Sequence, residues 1–531
     1  MRYSNIVMSK NILVDKAGKN VLSYGNGAML ELMRNQAHLV NQADNYSFIN
    51  YTENKISVGF TYSECLASNY IAFQNPIYGA KWFFAWIDSV TFRSDKMTEI
   101  EFTIDHWTTW YDMLNFKACY VLREHVANDT IGLNRVPEGL DIGEVECIES
   151  SADASLSDYS WIAIQTSWNP AKKTGYEGIA YYNGTVFGSL VCLVQNNIYG
   201  LEELFYFILQ CGADGHASDI INIFVVPSAI VEQSTLELQE YTAEAGGQSF
   251  GTHRFWTAPF TDTVKTFTNN ITKKYSWGDF TPKNNKLYCY PYNYLMVSNN
   301  HGQQNIYKYE NFNDTNAVFQ TELTFSIGGS GKLVPLHYDG QARDDDQSLV
   351  LGKYPTCGWS SDGYTNWLTQ NAVDIPQESF RFGLDTVKNF ASSAMTGIFS
   401  LADTILGKIG EFQKASMLPD SVNGSNAGDI IFAAKRNHFQ FKCMRCRTQF
   451  LQVIDEYFSR FGYKIMRVKV PNMSHREHFN YVEIGQGERV AYGEVPPEAL
   501  DTINKMFQSG VTIWHDHPSV GNFTISNNIT Q

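Results

Sequence analysis

The sequence predicts a mainly β protein with α+β parts, and three observations carry the prediction. Aromatic residues are abundant and charges few: 34 Phe, 30 Tyr and 11 Trp stand among 531 residues, a usage suited to sheets and subunit contacts built on aromatic packing. Period-two alternation comes early. Ile56, Val58 and Phe60 alternate with polar residues, and Ile100, Phe102 and Ile104 alternate with Glu99, Glu101, Thr103 and Asp105, as half-buried antiparallel strands do. Stretches of helical period are few, and most lie late in the chain.

Taken in order, residues 1–145 read as a sheet-built segment. Within it Pro76 and Gly79 form a turn, Lys81–Trp86 resumes as a strand, and residues 119–126 (CYVLREHV) form another. Residues 146–285 read as an inserted α+β module. Strands at Trp161–Thr166 and Thr185–Val194 flank a helical run at Leu201–Leu209; Ile220–Val226 is a buried strand or short helix, and Gly246–Gly251 a loop. Strands return over 286–380, at Leu287–Tyr290 and Leu323–Ile327, with Asp344, Asp345 and Asp346 in a solvated loop. Residues 381–430 hold an apolar amphipathic helix and a Gly/Asn/Ser loop. In residues 431–531 a helix over Cys446–Phe461 ends at Gly462, and Tyr463–Val470 is a strand. Pro496 and Pro497 then open a helix that turns Leu500, Ile503, Met506 and Phe507 inward, and Val511–Trp514 is a strand.

Charge and cysteine usage narrow the function. Forty basic against 55 acidic residues give a net charge of −15, the opposite of a protein that grips DNA by its phosphates. The nine cysteines are odd in number and scattered, which suits free thiols made in a reducing compartment. The opening MRYSNIVMSKNILVDK has no apolar core of the kind a signal peptide needs, so synthesis without an export leader is expected.

Catalytic signatures are incomplete wherever they start. In Ser326–Leu333 (SIGGSGKL) a serine replaces the first glycine of a phosphate loop, and Leu333 stands where a hydroxyl must hold Mg²⁺. Cys443 and Cys446 form a single CxxC, which one helical turn explains without a metal. His475, His478, His515 and His517 lie near the C-terminus without a carboxylate in a ligand pattern, so they read as surface imidazoles. Glu99 and Glu101 share one face of a strand and suit a solvated surface. The expectation is a non-enzyme with no catalytic residue, no metal and no cofactor.

The segment from Gly383 to Pro419 turns the argument toward function. Phe390, Met395, Ile398, Phe399, Ile405, Leu406, Ile409 and Phe412 recur at helical spacing, opening after Asp385 and stopping at Pro419. Ser392, Thr396, Ser400 and Thr404 fall four apart, as one hydroxyl stripe, and no charge stands between Lys388 and Asp403. A helix of about 30 residues would be roughly 45 Å long. The uncharged run is shorter than the ~18 residues a membrane span needs. Two readings fit: a long core helix, or a helix that offers its apolar face to lipid and its hydroxyls to water.

Several blocks together resemble the tail knob (distal tail tube) proteins of small short-tailed phages with protein-primed genomes. They are Tyr70-Ile71-Ala72-Phe73-Gln74-Asn75, Tyr78-Gly79, Lys81-Trp82-Phe83, Ile104-Asp105, Thr109-Trp110, Arg123-Glu124-His125-Val126 and Glu138-Gly139-Leu140. Late in the chain follow Phe461-Gly462-Tyr463-Lys464-Ile465, Arg467-Val468-Lys469, Pro471-Asn472, Phe479-Asn480-Tyr481-Val482, Gly510–His515 and Gly521-Asn522. They cover roughly the first 145 and last 95 residues in matching order, and leave 146–380 unmatched. The resemblance implies a β-rich tube domain built from the N- and C-terminal segments, closing into a homo-hexamer. It implies a lower collar protein as neighbour, phage DNA passing the lumen without specific binding, and a virion location after synthesis in the host cytoplasm. It also implies that the apolar segment plugs the lumen and meets the host cell membrane on ejection; here that segment is shorter and more regularly helical than the family's. The alternative reading is a β-rich receptor- or glycan-binding tail protein whose aromatics are sugar platforms.

Overall fold

The computed structural model describes residues 4–46, 54–74, 81–353, 356–357 and 438–530, apart from short breaks at 157, 176–179, 183–184, 188–189, 217–218, 246, 258–263 and 325–329. The chain divides into two compact units. One comprises residues 1–144, 276–292 and 446–531, and the other residues 145–275 and 293–445. Residues 276–292 thus join a unit made otherwise of the two ends of the chain.

The first unit contains a six-stranded antiparallel sheet in the order Leu39–Tyr46, Ser4–Ser9, Tyr70–Gln74, Trp82–Ser94, Met97–Ile104, Lys55–Val58. The apolar run at Tyr70–Phe73 arises because both faces of this sheet are covered. Ile71 and Phe73 join Ile6, Met8, Phe83, Ile100 and Phe102 on one side, while Tyr70 and Ala72 join Val7, Phe84 and Trp514 on the other. Each such large side chain moved out of water contributes about 1.5–3 kcal/mol.

A second, five-stranded sheet interleaves the two ends of the chain. Its order is Asn20–Leu22, Val511–Trp514, Phe479–Ile484, Cys119–Glu124, Tyr463–Lys469, and only the first pair is parallel. The helix Thr448–Phe461 buries Leu451, Ile454 and Phe458. It stops at Gly462, whose φ is +66° and where a Cβ would lie 2.1 Å from the Glu124 carbonyl oxygen, so only glycine lets helix and strand approach this closely. The helix Pro497–Gln508 buries Ala499, Ile503 and Phe507, while Leu500 and Met506 are half-buried.

The second unit is organised around the sheet Glu237–Ala245, Gln248–Thr257, Leu190–Gln195, Trp161–Thr166, Ile220–Val226, Thr356–Cys357. The helix Ile198–Ala213, capped by Asn197, packs Leu204, Phe207 and Cys211 against Ile162, Ile164, Cys192 and Val194. Trp161, Ala163, Val191 and Leu193 face the other way, toward Leu295, Val297, Phe319, Leu333 and Phe441 of two further antiparallel sheets. Ile220–Val226 is therefore a strand, and its Ile223–Val226 part is apolar at every position because Phe224 and Val226 meet one core while Ile223 and Val225 meet the other.

Four local expectations are corrected. Leu287–Tyr290 is not a strand. Asn285–Tyr288 is a 3₁₀ turn, because the N–H groups of Leu287 and Cys289 close back on the Asn284 and Lys286 carbonyls at 3.2 and 3.0 Å, while the carboxylates of Asp455 and Asp129 hold the entry by accepting the N–H groups of Lys283, Asn284 and Asn285. Gly246–Gly251 is not an open loop, since pairing resumes at Gln248 opposite Ala245 and runs on to Thr257. Cys443 and Cys446 lie on the strand Gln440–Cys446, paired along Asn293–Ser298, and the helix begins only at Thr448. Asp344 is buried and accepts the N–H groups of Asp346 and Gln347 at 3.1 and 3.2 Å; Asp345 and Asp346 are exposed, as a solvated loop requires.

Candidate functional site

The blocks that carry the family resemblance converge in the first unit on a buried polar cluster. Cys119–Glu124 is a central strand, yet it ends in Arg123 and Glu124, with His125 directly after it, and all three are buried. Burying charge is costly unless partners are supplied, so the surrounding segments must supply them. Arg123 pairs with Glu138 at 2.5 Å and donates to the Gly462 carbonyl at 2.7 Å. Glu138 also pairs with the Lys286 ammonium and accepts from the Lys464 backbone N–H at 2.9 Å. Lys286 donates to the Val136 carbonyl at 2.8 Å and lies 5.0 Å from the Tyr463 ring centre, while the Arg123 guanidinium lies 4.9 Å from that of Tyr457. Burial pulls the Lys286 ammonium below its usual range, and Glu138 opposes that pull.

Glu124, fully buried, is paired with Lys469 and accepts the Asn472 N–H at 2.7 Å. His125 accepts the Tyr481 backbone N–H on Nδ1 at 2.9 Å, so its Nε2 carries the proton given to the Ser459 carbonyl at 3.1 Å. Burial, and then the nearby Arg476, push its pKa down to about 3. Tyr463 donates to Asp129 at 2.9 Å, and burial raises both groups. Asp105 receives Tyr70 Oη at 2.7 Å and both the N–H and hydroxyl of Thr108, which starts the short helix His106–Trp110. Burial raises Asp105 above the ordinary carboxylate range. Trp107 and Trp514 donate to the Leu22 carbonyl and the Asn20 side chain at 2.7 and 3.0 Å.

These carboxylates are enclosed and saturated with hydrogen bonds, so what they can do is tie distant segments together. Sequence reasoning picked out Arg123–Val126 and Glu138 only as resemblance; Lys286 and Asp129 were missed. The available signal was Arg-Glu-His at the end of an otherwise largely apolar strand.

The other candidates are dispersed. His515 meets Ser23 and Asn480, His478 meets Asp516, His475 meets Asn472, and His517 accepts the Leu13 N–H at 3.2 Å. His517 is buried, not a surface imidazole, because it closes over the chain near Leu13. Among the described residues no group of three or more His, Cys, Asp and Glu is placed to hold a metal. Glu99 pairs with Arg93, and Glu101 accepts from Ser89. From Ser330 onward the glycine-rich stretch is the strand Ser330–Tyr338. The apolar residues Phe390–Phe412 and the stripe Ser392, Thr396, Ser400 and Thr404 lie outside the described residues. Among the described residues no helix is long and apolar enough to cross a membrane.

A family model for the C-terminal domain of the Bacillus phage phi29 tail knob protein gp9 matches residues 259–529. The chain belongs to the phi29 gp9 tail knob family. A model for the caudoviral major tail protein N-terminus matches residues 2–115, so family likeness reaches into the 146–380 stretch that the sequence alone left unmatched. The tail knob protein gp9 of phage phi29 is 23% identical, covering 93% of each chain. That of Bacillus phage B103 is 22% identical, covering 87% of each. The solved tail knob protein gp12 of bacteriophage C1 shares the fold with a TM-score of 0.64, over 99% of this chain and 100% of that one, at 14% identity. The protein is thus a β-rich structural component of a phage virion tail, in its knob, and not an enzyme.

Proposed function

We propose that this knob protein forms a closed ring, a hexamer, beneath a lower collar protein, and that the genome passes through its lumen. The observation that carries the reading is the interleaving of the two chain ends in one sheet, with Asn20–Leu22 on Val511–Trp514 and Cys119–Glu124 between Tyr463–Lys469 and Phe479–Ile484. That arrangement makes one wall-forming unit from both ends of the chain. The net charge of −15 favours a lumen wall along which DNA slides without sticking.

In this reading Leu384–Leu418 is plug and membrane device in turn. Copies of the segment bury Phe390, Met395, Ile398, Phe399, Ile405 and Leu406 against one another while DNA is retained. Released, they turn those residues to lipid, and Ser392, Thr396, Ser400 and Thr404 line the water path. At about 1.5–3 kcal/mol for each large apolar side chain, lipid contact outweighs the cost of moving hydroxyls that still bond water or one another. The double substitution Ile398→Asp with Ile405→Asp is expected to leave the ring intact and to abolish liposome leakage and infectivity. Wild-type leakage from that variant would reduce the segment to a core or plug helix.

A further inference from the structure

The stretch Lys10–Val14 crosses the first unit without strand pairing of its own, yet its side chains Ile12 and Val14 are buried in the core that holds Met29, Met33 and Trp514. Two histidines and one asparagine hold it down. Lys10 gives its N–H to the His38 carbonyl at 2.8 Å, and His38 Nδ1 lies 3.2 Å from the Lys10 carbonyl. Ile12 exchanges hydrogen bonds with the Asn69 amide at 3.2 and 2.8 Å. Leu13 gives its N–H to His517 Nε2 at 3.2 Å. The rings of His38 and His517 meet edge to face, their centres 4.9 Å apart.

A backbone N–H can only donate, so the Leu13 bond requires a bare lone pair on His517 Nε2. His515 is different: its partner Ser23 is a hydroxyl, which can turn to accept if the ring gains a proton. We propose that Lys10–Val14 is an acid-released strap, latched by neutral His517 and freed, with Ile12 and Val14, when that ring takes up a proton. Protonation replaces an acceptor with a second donor facing the Leu13 N–H. Of the groups facing His517, the Asn11 carbonyl on the strap and Asp516 favour the charged ring, while burial and His38 oppose it more strongly. From its own turn Asp516 is held by His478 at 3.1 Å and by the Ser519 hydroxyl, and Tyr24 Oη receives the His517 N–H at 3.3 Å. Further along the strap Asp15 accepts the N–H groups of Lys19 and Asn20, and Lys16 pairs with Asp88. Burial and then His38 disfavour the charged ring, so the latch is closed at neutral pH.

Hydrogen–deuterium exchange of the full-length protein, corrected for the intrinsic pH dependence of exchange, tests this at pH 7.5 and stepwise down to pH 5. Peptides over residues 10–16 should lose protection about tenfold per pH unit below about pH 6.5, where the released ring binds a proton that the latched ring still refuses, while those over Phe479–Ile484 keep theirs. His517→Gln retains an acceptor that cannot titrate, and the strap should stay protected throughout. Constant strap protection in the wild type, or the same loss in His517→Gln as in the wild type, would overturn the proposal. If His517→Gln does not fold, a wild-type loss of protection that residues 10–16 share equally with Phe479–Ile484 overturns it.

Discussion

Replacing Glu138 by alanine should be among the most damaging single changes in the molecule. Side-chain exposures of 8% for Arg123, 5% for Lys286 and 1% for Glu138 leave water little access to any of the three. After the change Arg123 retains the Gly462 carbonyl and Lys286 the Val136 carbonyl, but neither retains a counter-charge in the cluster. Removing one partner from a buried pair costs about 3–5 kcal/mol because the other charge stays buried. The Lys464 N–H, 2.9 Å from the lost carboxylate, is stranded as well. Against a total stability of roughly 5–15 kcal/mol, that loss is a large fraction. Urea unfolding followed by near-ultraviolet circular dichroism should show a lower midpoint at an unchanged slope. Adding Lys286→Met to Glu138→Ala should recover part of the loss by removing one stranded charge. A Glu138→Ala midpoint equivalent to less than about 0.5 kcal/mol of destabilisation would mean that the cluster is solvated and that the stapling argument is wrong.

Two further outcomes follow from the same residues and the same charge. The folded pKa of His125, about 3, lies below its unfolded value of about 6.5, so the unfolded chain binds the proton first as pH falls. Stability is therefore complete above about pH 6.5 and drops by about 1.4 kcal/mol per pH unit down to the folded pKa, a slope that His125→Gln should flatten in urea titrations at several pH values. The net charge of −15 should leave duplex DNA unbound at physiological salt; micromolar binding with a steep salt slope by fluorescence anisotropy would contradict the lumen reading.

Much of the architecture was legible because it rests on local periodicity. Ile56–Phe60 and Ile100–Ile104 alternate because one face of each strand is buried, and the two strands indeed pair through Ile56 and Ile100. The helix Pro497–Gln508 announces itself by proline at its start and an apolar stripe. What stayed hidden depends on distance. Lys286 meets Glu138 across 148 residues of chain, and no local pattern marks a lysine destined for the interior. The spacing of Cys443 and Cys446 suits a helical turn as well as a strand, and the partner Asn293–Ser298 decided it. The bond between Leu13 and His517 spans 504 residues, so His517 alone read as a surface imidazole and nothing local marked Leu13.

Cryo-electron microscopy of the purified full-length protein, with the collar neighbour added if the protein alone stays dispersed, tests the ring most directly. Sixfold rings with a central lumen and density entering that lumen from each subunit are the predicted result. Threefold spikes, or a monodisperse monomer at high concentration even with the collar protein, would contradict it.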